Sequence, residues 1–521
     1  MNETKGFHAV EVVLSTNLET KLEKPQPGTP FKILVMGDFS GRAEKEPGLQ
    51  RVDLAERKLY SIDRDSDEAV LAKLGACLRL PAAGEHRPAI ELQFGEMDDF
   101  QPDQIYSQAD IFKALREVRK KISDPNTFSQ TAARLLGQSS AAERREDNPV
   151  HPREAEGGRN HATNTAGLLD DVLNAGSEAV HAPVSSRRSD WDRFLGNLVR
   201  PHLVPDIEQE QEELLSGIDR TISATMADIL HHPRFQSLEA AWRAMRFLLR
   251  RLETDENLQV YLLDISKPEL AAVLAEDKHP QSTALYRKLA EFSDQRIGEA
   301  PWALLAGNYM FEKSPDDLRL LTRLGDLGRL LGAPFIGAGG LSLIGCGCLD
   351  DLCAPANWRA ASEPEVENAW RTLRTSPQAR WLGLALGRFL LRLPYGEKTD
   401  EVAYFAFEET GAAPAHEHYL WGNPVFACAL LLGMAHTRDG WDMRPGTVQD
   451  IDHLPTHVFV HDGESIVKPC AEVVLTVEAV EQILNSGLMP LLSFKGQDRV
   501  RLARFQSIAD PVTRMAGRWP A

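Results

Sequence analysis

The pattern of apolar and polar positions in the first part of the chain predicts both strands and helices. Residues 31–37 (FKILVMG) form a nearly continuous apolar run, which is typical of a strand buried on both faces. Residues 89–94 alternate apolar and polar side chains, and residues 111–119 carry apolar side chains at helical spacing. This part of the chain is therefore predicted to form a small α/β module.

A helical stretch follows further along the chain, with long helices predicted between residues 191 and 255. One apolar stripe recurs every four residues and would line a single helix face. It consists of Leu214, Ile218, Ile222, Met226 and Leu230. Pro233 breaks this pattern, and a second helix is predicted over residues 238–252. We expect both helices to pack against the helices of the first module.

Strand and helix patterns alternate again beyond residue 255. Strand-like runs at 258–263, 300–306 and 333–337 enclose a helical pattern at 316–331. Strands and helices of this length in alternation are typical of a parallel α/β layer. The predicted fold class is thus α/β, with a small N-terminal module, a helical stretch and a larger α/β body.

A stretch poor in large apolar residues separates the two parts. Residues 136–188 bury too little apolar surface to offset the entropy of ordering, which predicts a disordered linker. One apolar island at 167–174 would form a short amphipathic helix. The predicted division is therefore 1–135, 136–188 and 189–521.

Composition and charge narrow the function classes. The 521 residues carry 76 acidic and 58 basic side chains, a net charge of −18, which argues against nucleic-acid binding. Neither a run of 18 apolar residues nor a signal-peptide pattern is present, so we expect a cytoplasmic protein without membrane insertion. The six cysteines are scattered and predict no disulfide framework.

Two local patterns resemble cofactor or metal sites only in part. Residues 337–340 (GAGG) follow a strand-like run, but Ser342 stands where a dinucleotide-binding turn has its third glycine. Cys346, Cys348 and Cys353 lack partners at zinc-ligand spacing. A tight turn and small buried thiols are the simpler interpretations, and no cofactor or metal is predicted.

Histidines supply the remaining chemical candidates. They are His231 and His232 at a helix end, His416 and His418 in a polar segment, and His453, His457 and His461 along a possible strand. The last three could cluster only if their positions share a face. An α/β enzyme with a site around His453 to His461 stays open as an alternative, although no catalytic motif appears.

Several segments of the first part resemble the small subunit (TssB-like) of the contractile sheath of type VI secretion systems. They are residues 29–42, 54–58, 61–65 and 97–103, in that order. The second part resembles the large sheath subunit (TssC-like). Its matching segments are residues 229–243, 264–270, 307–312, 333–335, 370–374, 388–396, 420–423, 487–492 and 495–496.

The resemblance implies a structural protein without a catalytic centre. Small and large subunits of that family pair and stack into a helical tube around an inner tube, on a baseplate, and an AAA+ ATPase dismantles the contracted sheath. Here both subunits would lie on one chain, and a tether of about fifty residues would span roughly 35–45 Å. Such a tether favours one-to-one pairing of the two parts.

Two segments are candidates for contacts between subunits. Val10, Val12 and Leu14 belong to a β-rich run before a proline-rich spacer, which suits a strand exchanged with a neighbour. An edge strand folded onto its own module is an equal alternative.

The second candidate lies where the large subunit begins. Family resemblance implies ATPase docking there, and the docking face would be Leu168, Leu169, Val172 and Leu173. A linker helix without function is the alternative interpretation.

One departure from the family leaves the assembly role open. The family's large subunit continues into a longer segment beyond residues 495–496. Whether this chain polymerises alone is therefore undecided by sequence, and an accessory protein that caps, nucleates or regulates a sheath made of other subunits is the alternative function.

Overall fold

The computed structural model describes residues 24–42, 54, 56–81, 89–124, 127–128, 131, 210–277, 279–292, 300–359, 363–411 and 414–520. The strands in these ranges are β1 (Phe31–Gly37), β2 (Tyr60–Ile62), β3 (Ala76–Leu80), β4 (Ile90–Phe94), β5 (Leu258–Asp264), β6 (Trp302–Phe311), β7 (Phe335–Gly339), β8 (Leu382–Leu386), β9 (Phe389–Leu390), β10 (Trp421–Gly422), β11 (Asp450–Ile451), β12 (Val458–His461), β13 (Glu464–Val467), β14 (Met489–Ser493) and β15 (Val500–Leu502). The helices are α1 (Asp67–Leu74), α2 (Pro102–Gln108), α3 (Asp110–Ser123), α4 (Glu210–Leu230), α5 (Pro233–Arg251), α6 (Lys267–Ala275), α7 (Ala284–Phe292), α8 (Pro315–Leu331), α9 (Pro364–Thr375), α10 (Pro424–Asp439) and α11 (Val477–Asn485).

Nine of these strands form one sheet in the order β11-β15-β14-β8-β7-β6-β1-β5-β2. The six strands from β14 to β5 are parallel to one another. Antiparallel strands close the sheet at both edges, with β2 on β5 at one side and β15 and β11 at the other. The α/β fold class predicted from the sequence is confirmed.

Strand β1 lies in the middle of this sheet, although it comes from the first part of the chain. It pairs with β5 on one side, from Phe31 opposite Leu258 to Gly37 opposite Asp264, and with β6 on the other. All seven residues are buried, because a central parallel strand covered by helices meets no water on either face. The two parts of the chain therefore share one sheet rather than each building its own.

Helices cover the sheet on both faces and produce two apolar cores. Phe31, Ile33 and Val35 point into the core formed with α1 to α5 and α10. Leu34 and Met36 point into the core formed with α6, α7, α8, α9 and α11. Alternation along β1 thus assigns its side chains to both layers.

The two long helices follow the predicted stripe. Its five members on α4 are buried, and α4 packs against α3 of the first part, as predicted. Pro233, however, begins α5 rather than standing apart from it. A proline is compatible with the first helical turn because its missing N–H has no partner there anyway. The Nδ1 atom of His232 then caps α5 by accepting a hydrogen bond from the Arg234 N–H at 3.2 Å.

Candidate functional site at the contact between the two parts of the chain

The residues singled out for intersubunit contacts lie outside the described ranges. These are Val10, Val12 and Leu14 of the predicted exchanged strand, and Leu168, Leu169, Val172 and Leu173 of the predicted docking helix. Their roles stay predictions. What the structure does place is a set of polar and aromatic contacts that join the two parts of the chain, and a buried polar cluster that braces α5, the helix of the second part that meets the turn after β1.

The first of these contacts surrounds a buried carboxylate at the end of β5. The carboxylate belongs to Asp264, which lies opposite Gly37 in the sheet. The turn that follows β1 therefore passes directly over Asp264. Asp264 Oδ1 accepts a hydrogen bond from the Phe39 N–H at 2.8 Å. Its Oδ2 accepts one from the Ser40 hydroxyl at 2.7 Å and lies 2.8 Å from Arg42 Nε. This carboxylate therefore fixes the Asp-Phe-Ser-Gly-Arg turn to the second part of the chain.

Burial and hydrogen bonding act in opposite directions on the pKa values of the two carboxyl groups of this cluster, Asp264 and Glu269. Burial raises the pKa of Asp264, and the hydrogen bonds from Ser40 and Phe39 offset only part of that effect. Arg57, from the first part, donates from Nη1 to the Asp264 carbonyl at 2.8 Å and pairs with Glu269. Burial opposes ionisation of Glu269, but the Arg57 guanidinium outweighs it and lowers the pKa of that carboxyl.

An aromatic pair strengthens the same contact. The rings of Phe39 and Trp242 meet edge to face, with centroids 5.4 Å apart at 79°. The indole Nε1–H of Trp242 donates to the Phe39 carbonyl at 2.8 Å. Both side chains are fully buried, so this one contact between α5 and the turn after β1 combines apolar burial with a satisfied polar group.

The second polar cluster lies wholly within the second part of the chain and is centred on Arg392, which is buried between two carboxylates. Its Nε lies 2.8 Å from Glu239 on α5, and its Nη1 lies 2.7 Å from Glu409. Arg243, one turn after Glu239, contacts the same carboxylate at 2.7 Å and donates to the Tyr395 hydroxyl at 2.9 Å. The cluster holds the loop from 389 to 409 against the helix that also anchors the turn after β1.

The charges in this cluster are mutually compensated. Burial disfavours the ionised form of Glu409, yet Arg392 overcomes it and lowers the pKa of Glu409 to about 2. Burial likewise disfavours the charged form of Arg392, but Glu239 and Glu409 raise its pKa. Burial raises the pKa of Tyr395 to about 12. Removing the Arg392 charge would leave Glu409 buried without its guanidinium partner.

Weaker contacts tie the two parts together nearer the surface. The Asp103 carboxylate accepts hydrogen bonds from the Ala403 and Tyr404 N–H groups at 3.0 and 3.1 Å. Arg246 lies 2.7 Å from Asp67. Together with the Asp264 cluster and the Phe39–Trp242 pair, these contacts extend the joint across several elements of both parts.

The structure does not bring the candidate histidines together. His457 is buried and its Nδ1 lies 2.8 Å from the Tyr419 hydroxyl, whereas His453 and His461 face Asp498 and Asp462 at the surface. His416 contacts Glu472 at 3.2 Å. The side chains of His453, His457 and His461 therefore do not converge on one point, as an enzyme site built from them would require.

His418 instead stacks on His231, with ring centroids 4.2 Å apart and planes 4° from parallel. Burial, together with the neighbouring His231 ring, lowers the pKa of His418. Two stacked imidazoles do not direct their nitrogens toward one point, so this pair lacks the geometry of a metal site.

The cysteines at 346–353 and the glycines at 337–340 also have local structural roles in place of a metal or cofactor site. Cys348 Sγ approaches Asp351 at 3.2 Å and Cys353 Sγ approaches the Val474 carbonyl at 3.2 Å, so the thiols face different partners. A Cβ placed on Gly337 would lie 2.7 Å from the Phe311 ring, so glycine is needed there for packing. Across the described residues, no group of three or more His, Cys, Asp or Glu side chains is arranged to hold a metal ion.

Sequence patterns did not single out the residues of these two polar clusters. Asp264 and Arg392 stand in segments that resemble the large sheath subunit, but the pattern alone assigned them no role. The available signal was a charge within an apolar stretch, as at Glu239 between Leu238 and Ala241 on the buried face of α5. Such a charge needs a partner, but the sequence does not say which one.

Among the described helices, none is both long and apolar enough to cross a membrane.

Comparisons with known proteins find a family match for each of the two parts of the chain. Residues 212–509 match the VipB family, described as EvpB/VC_A0108, tail sheath N-terminal domain. Residues 10–135 match a family described as Type VI secretion system, VipA, VC_A0107 or Hcp2. The chain is also similar to the type VI secretion system sheath protein TssC1 of Pseudomonas aeruginosa strain PAO1, with 33% identity over 306 residues.

The match to TssC1 covers 58% of this chain and 61% of that protein, so the chain spans about three fifths of the relative's length. The VipB match alone covers more than half of the chain, and the VipA match covers most of its first 135 residues. The chain therefore belongs to the type VI secretion sheath family, in which it joins a VipA-like small subunit to a VipB-like large subunit.

Proposed function

We propose that the chain is a structural subunit of a contractile type VI secretion sheath, which assembles by strand exchange and packing into a tube around an inner tube. The observation that carries this proposal is the shared sheet. Strand β1 of the VipA-like part lies between β5 and β6 of the VipB-like part, so one chain supplies both a VipA-like and a VipB-like part to a single sheet.

The polar contacts described above support a structural role. Asp264 and Arg392 use their charged atoms to bind other groups of the protein. The contacts of Asp264 stiffen the joint between the two parts, and those of Arg392 stiffen the second part itself. A subunit that transmits force through a contracting tube needs both to be stiff. The proposal assigns no catalytic step, cofactor or metal to the chain.

The proposal includes partners that the family resemblance implies. Other sheath subunits would exchange strands with the run containing Val10, Val12 and Leu14. An AAA+ ATPase would dock on Leu168, Leu169, Val172 and Leu173, and the inner tube and baseplate would contact the assembled sheath in the bacterial cytoplasm. Replacing Leu169 and Leu173 by Asp tests the docking step, since ATPase-driven disassembly that continues unchanged would contradict it.

Electron microscopy of the purified full chain tests the assembly. We would image it in negative stain alone and mixed with a separate large sheath subunit from the same genome. Tubes from the chain alone support a self-sufficient fused subunit. Tubes that form only with the partner favour the accessory function, and a lack of assembly in both samples contradicts the proposal.

A further inference from the structure

Two of the cysteines stand two positions apart in the loop that follows β7. Cys346, Gly347 and Cys348 lie between two short 3₁₀ turns, Leu341–Ile344 and Asp350–Cys353. Cys346 is buried, whereas Cys348 is exposed. One thiol of the pair is therefore shielded, and the other is open to reagents from the solvent.

The shielded thiol lies beside the exposed residue. The Cys346 thiol donates a hydrogen bond to the Cys348 carbonyl oxygen, with 3.0 Å between Sγ and oxygen. Burial raises the pKa of the Cys346 thiol, although the hydrogen bond to Cys348 opposes this effect. Because the thiolate is the reactive form, Cys346 is poorly reactive toward solvent but stands next to the residue that would present a second sulfur to it.

The third cysteine of this loop is held toward a different segment. Cys353 Sγ lies 3.2 Å from the Val474 carbonyl oxygen, and the Cys353 carbonyl accepts a hydrogen bond from the Thr476 hydroxyl at 3.1 Å. Cys353 is thus fixed to the chain just before α11, whereas Cys346 contacts Cys348. The natural pair among the three is Cys346 with Cys348.

The main chain between the two cysteines permits a bond between them. The Cα atoms of residues two positions apart lie at most about 7 Å from each other, and a disulfide spans about 4.4–6.8 Å. Gly347 stands between them, and a Cβ placed on it would meet nothing within 4 Å. A local adjustment of this loop would therefore encounter no packed neighbour at Gly347, and the missing side chain widens the backbone conformations available to it.

We propose that Cys346 and Cys348 form a reversible redox site, at which a low-molecular-weight disulfide of the glutathione type oxidises the two thiols to a Cys346–Cys348 disulfide. An exposed disulfide of this kind is open to attack by reduced thiols, which reverse the reaction. The site does not depend on sheath assembly, because both sulfurs belong to one loop of one chain.

The reaction follows ordinary thiol–disulfide exchange. The Cys348 thiolate attacks one sulfur of oxidised glutathione, the glutathione S–S bond breaks, and one glutathione thiolate leaves. The Cys346 thiolate then attacks Cys348 Sγ, and the second glutathione leaves. This second step is intramolecular and gains from the proximity of the two residues. The two cysteine protons end on the two glutathione thiolates, so two protein thiols are oxidised while one glutathione disulfide is reduced.

Mass spectrometry of the full chain tests the site. The reduced protein is incubated with oxidised glutathione, its remaining thiols are alkylated with iodoacetamide, and trypsin then releases residues 330–359 with all three loop cysteines. We expect this peptide to lose two hydrogen atoms and to carry one alkyl group. Three alkyl groups, or a glutathione that stays on Cys348, would overturn the proposal.

A second cleavage identifies the paired cysteines. A protease that cuts before Asp350 separates Cys353 from Cys346 and Cys348. The disulfide should lie in the piece that ends at Leu349, in at least fivefold excess over any product that contains Cys353. A disulfide that joins the two pieces as the main product contradicts the proposed pairing.

Matched serine variants separate the two steps. Cys346→Ser should stop the reaction at the mixed disulfide between Cys348 and glutathione, because the second sulfur is missing. The control, Cys353→Ser, should close the Cys346–Cys348 bond in unchanged yield. A severalfold lower yield in the control would show that Cys353 takes part, and would overturn the assignment.

Reversal is measured on the oxidised full chain. An excess of reduced glutathione, added before alkylation, should restore three alkyl groups on residues 330–359. A bond that survives this treatment would contradict a reversible site.

Discussion

Two apolar strand regions of this molecule have similar composition and opposite surroundings. Strand β1 contains Ile33, Leu34 and Val35 and is buried along its whole length between β5 and β6. The β12–β13 hairpin contains Val458 and Val460, which are exposed, and its strands pair only with each other. The difference teaches that an apolar β pattern predicts a strand, whereas the neighbouring elements decide whether it is buried.

The same comparison separates two kinds of contact between parts of a chain. Strand β1 is held by hydrogen bonds on both edges and by side chains on both faces, so removing it would open the sheet at its centre. The hairpin could be lost from one copy without exposing that core. We therefore expect large effects on stability at β1 and its anchors, and small ones at the hairpin.

The largest predicted effect follows from separating the two parts. Residues 1–135 expressed alone should be insoluble or unfolded, because β1 would lose both neighbouring strands. Coexpression with residues 189–521 should restore a soluble complex, detected by copurification and by circular dichroism. A well-folded fragment 1–135 would contradict the importance of the shared sheet.

A large effect is also predicted at the buried cluster. Arg392→Met should lower the free energy of unfolding by about 3–5 kcal/mol, because Glu409 would remain buried without its guanidinium partner and Glu239 would keep only Arg243. Urea denaturation measures the change. Arg119→Met is the control, because its partner Asp219 and Arg119 itself are half exposed, and such pairs contribute about 0–1 kcal/mol. Equal losses in the two variants would contradict the prediction.

A matched pair of truncations tests the comparison of strands directly. Ile33→Ala should cost about 2–5 kcal/mol because it leaves a cavity in a closed core. Val460→Ala in unassembled protein should change stability by about 0.5 kcal/mol or less, since water already surrounds the side chain. A similar cost at both positions would mean that the hairpin is packed within its own copy.

The smallest effect concerns the pH dependence of stability. The pKa of Glu409 is about 2 in the folded protein, against an ordinary value of 4.5. A lowered pKa stabilises the fold above pH 4.5, and that stability is lost as the pH falls toward 2. Glu409→Gln should therefore reduce the slope of unfolding free energy against pH in that window, measured by urea denaturation from pH 5 to pH 3.

Another carboxyl contributes in the same window and must be controlled. Glu472 is buried, but its hydrogen bond to His416 and its contact with Arg388 lower its pKa to about 2 as well. Some slope should remain in the Glu409→Gln variant and decrease further when Glu472→Gln is added. An unchanged slope in the double variant would mean that neither carboxyl is responsible.

Much of the fold could be predicted from the sequence because its signals are local. The stripe from Leu214 to Leu230 predicted α4 and its buried face, and the apolar run of residues 31–37 predicted a strand buried on both sides. Pro233 was misjudged because the same residue can break a helix or begin one. Only the backbone on either side of it settles that choice.

The candidate site was less predictable because its residues are distant in sequence. Asp264 and Ser40 are separated by 224 positions, and Arg392 and Glu239 by 153. No local pattern connects such pairs. The histidines and cysteines attracted attention as residue types, yet the structure gives them separate partners.

The sequence by itself determined the elements, the α/β class and the resemblance of both parts to sheath subunits, because periodicity and motifs lie within short segments. Tertiary structure alone decided that β1 enters the sheet between β5 and β6, and that Asp264 anchors the joint. The physical reason is that a strand's edges and a buried charge are satisfied by whichever partners the fold brings within hydrogen-bonding distance. Those partners come from the other part of the chain.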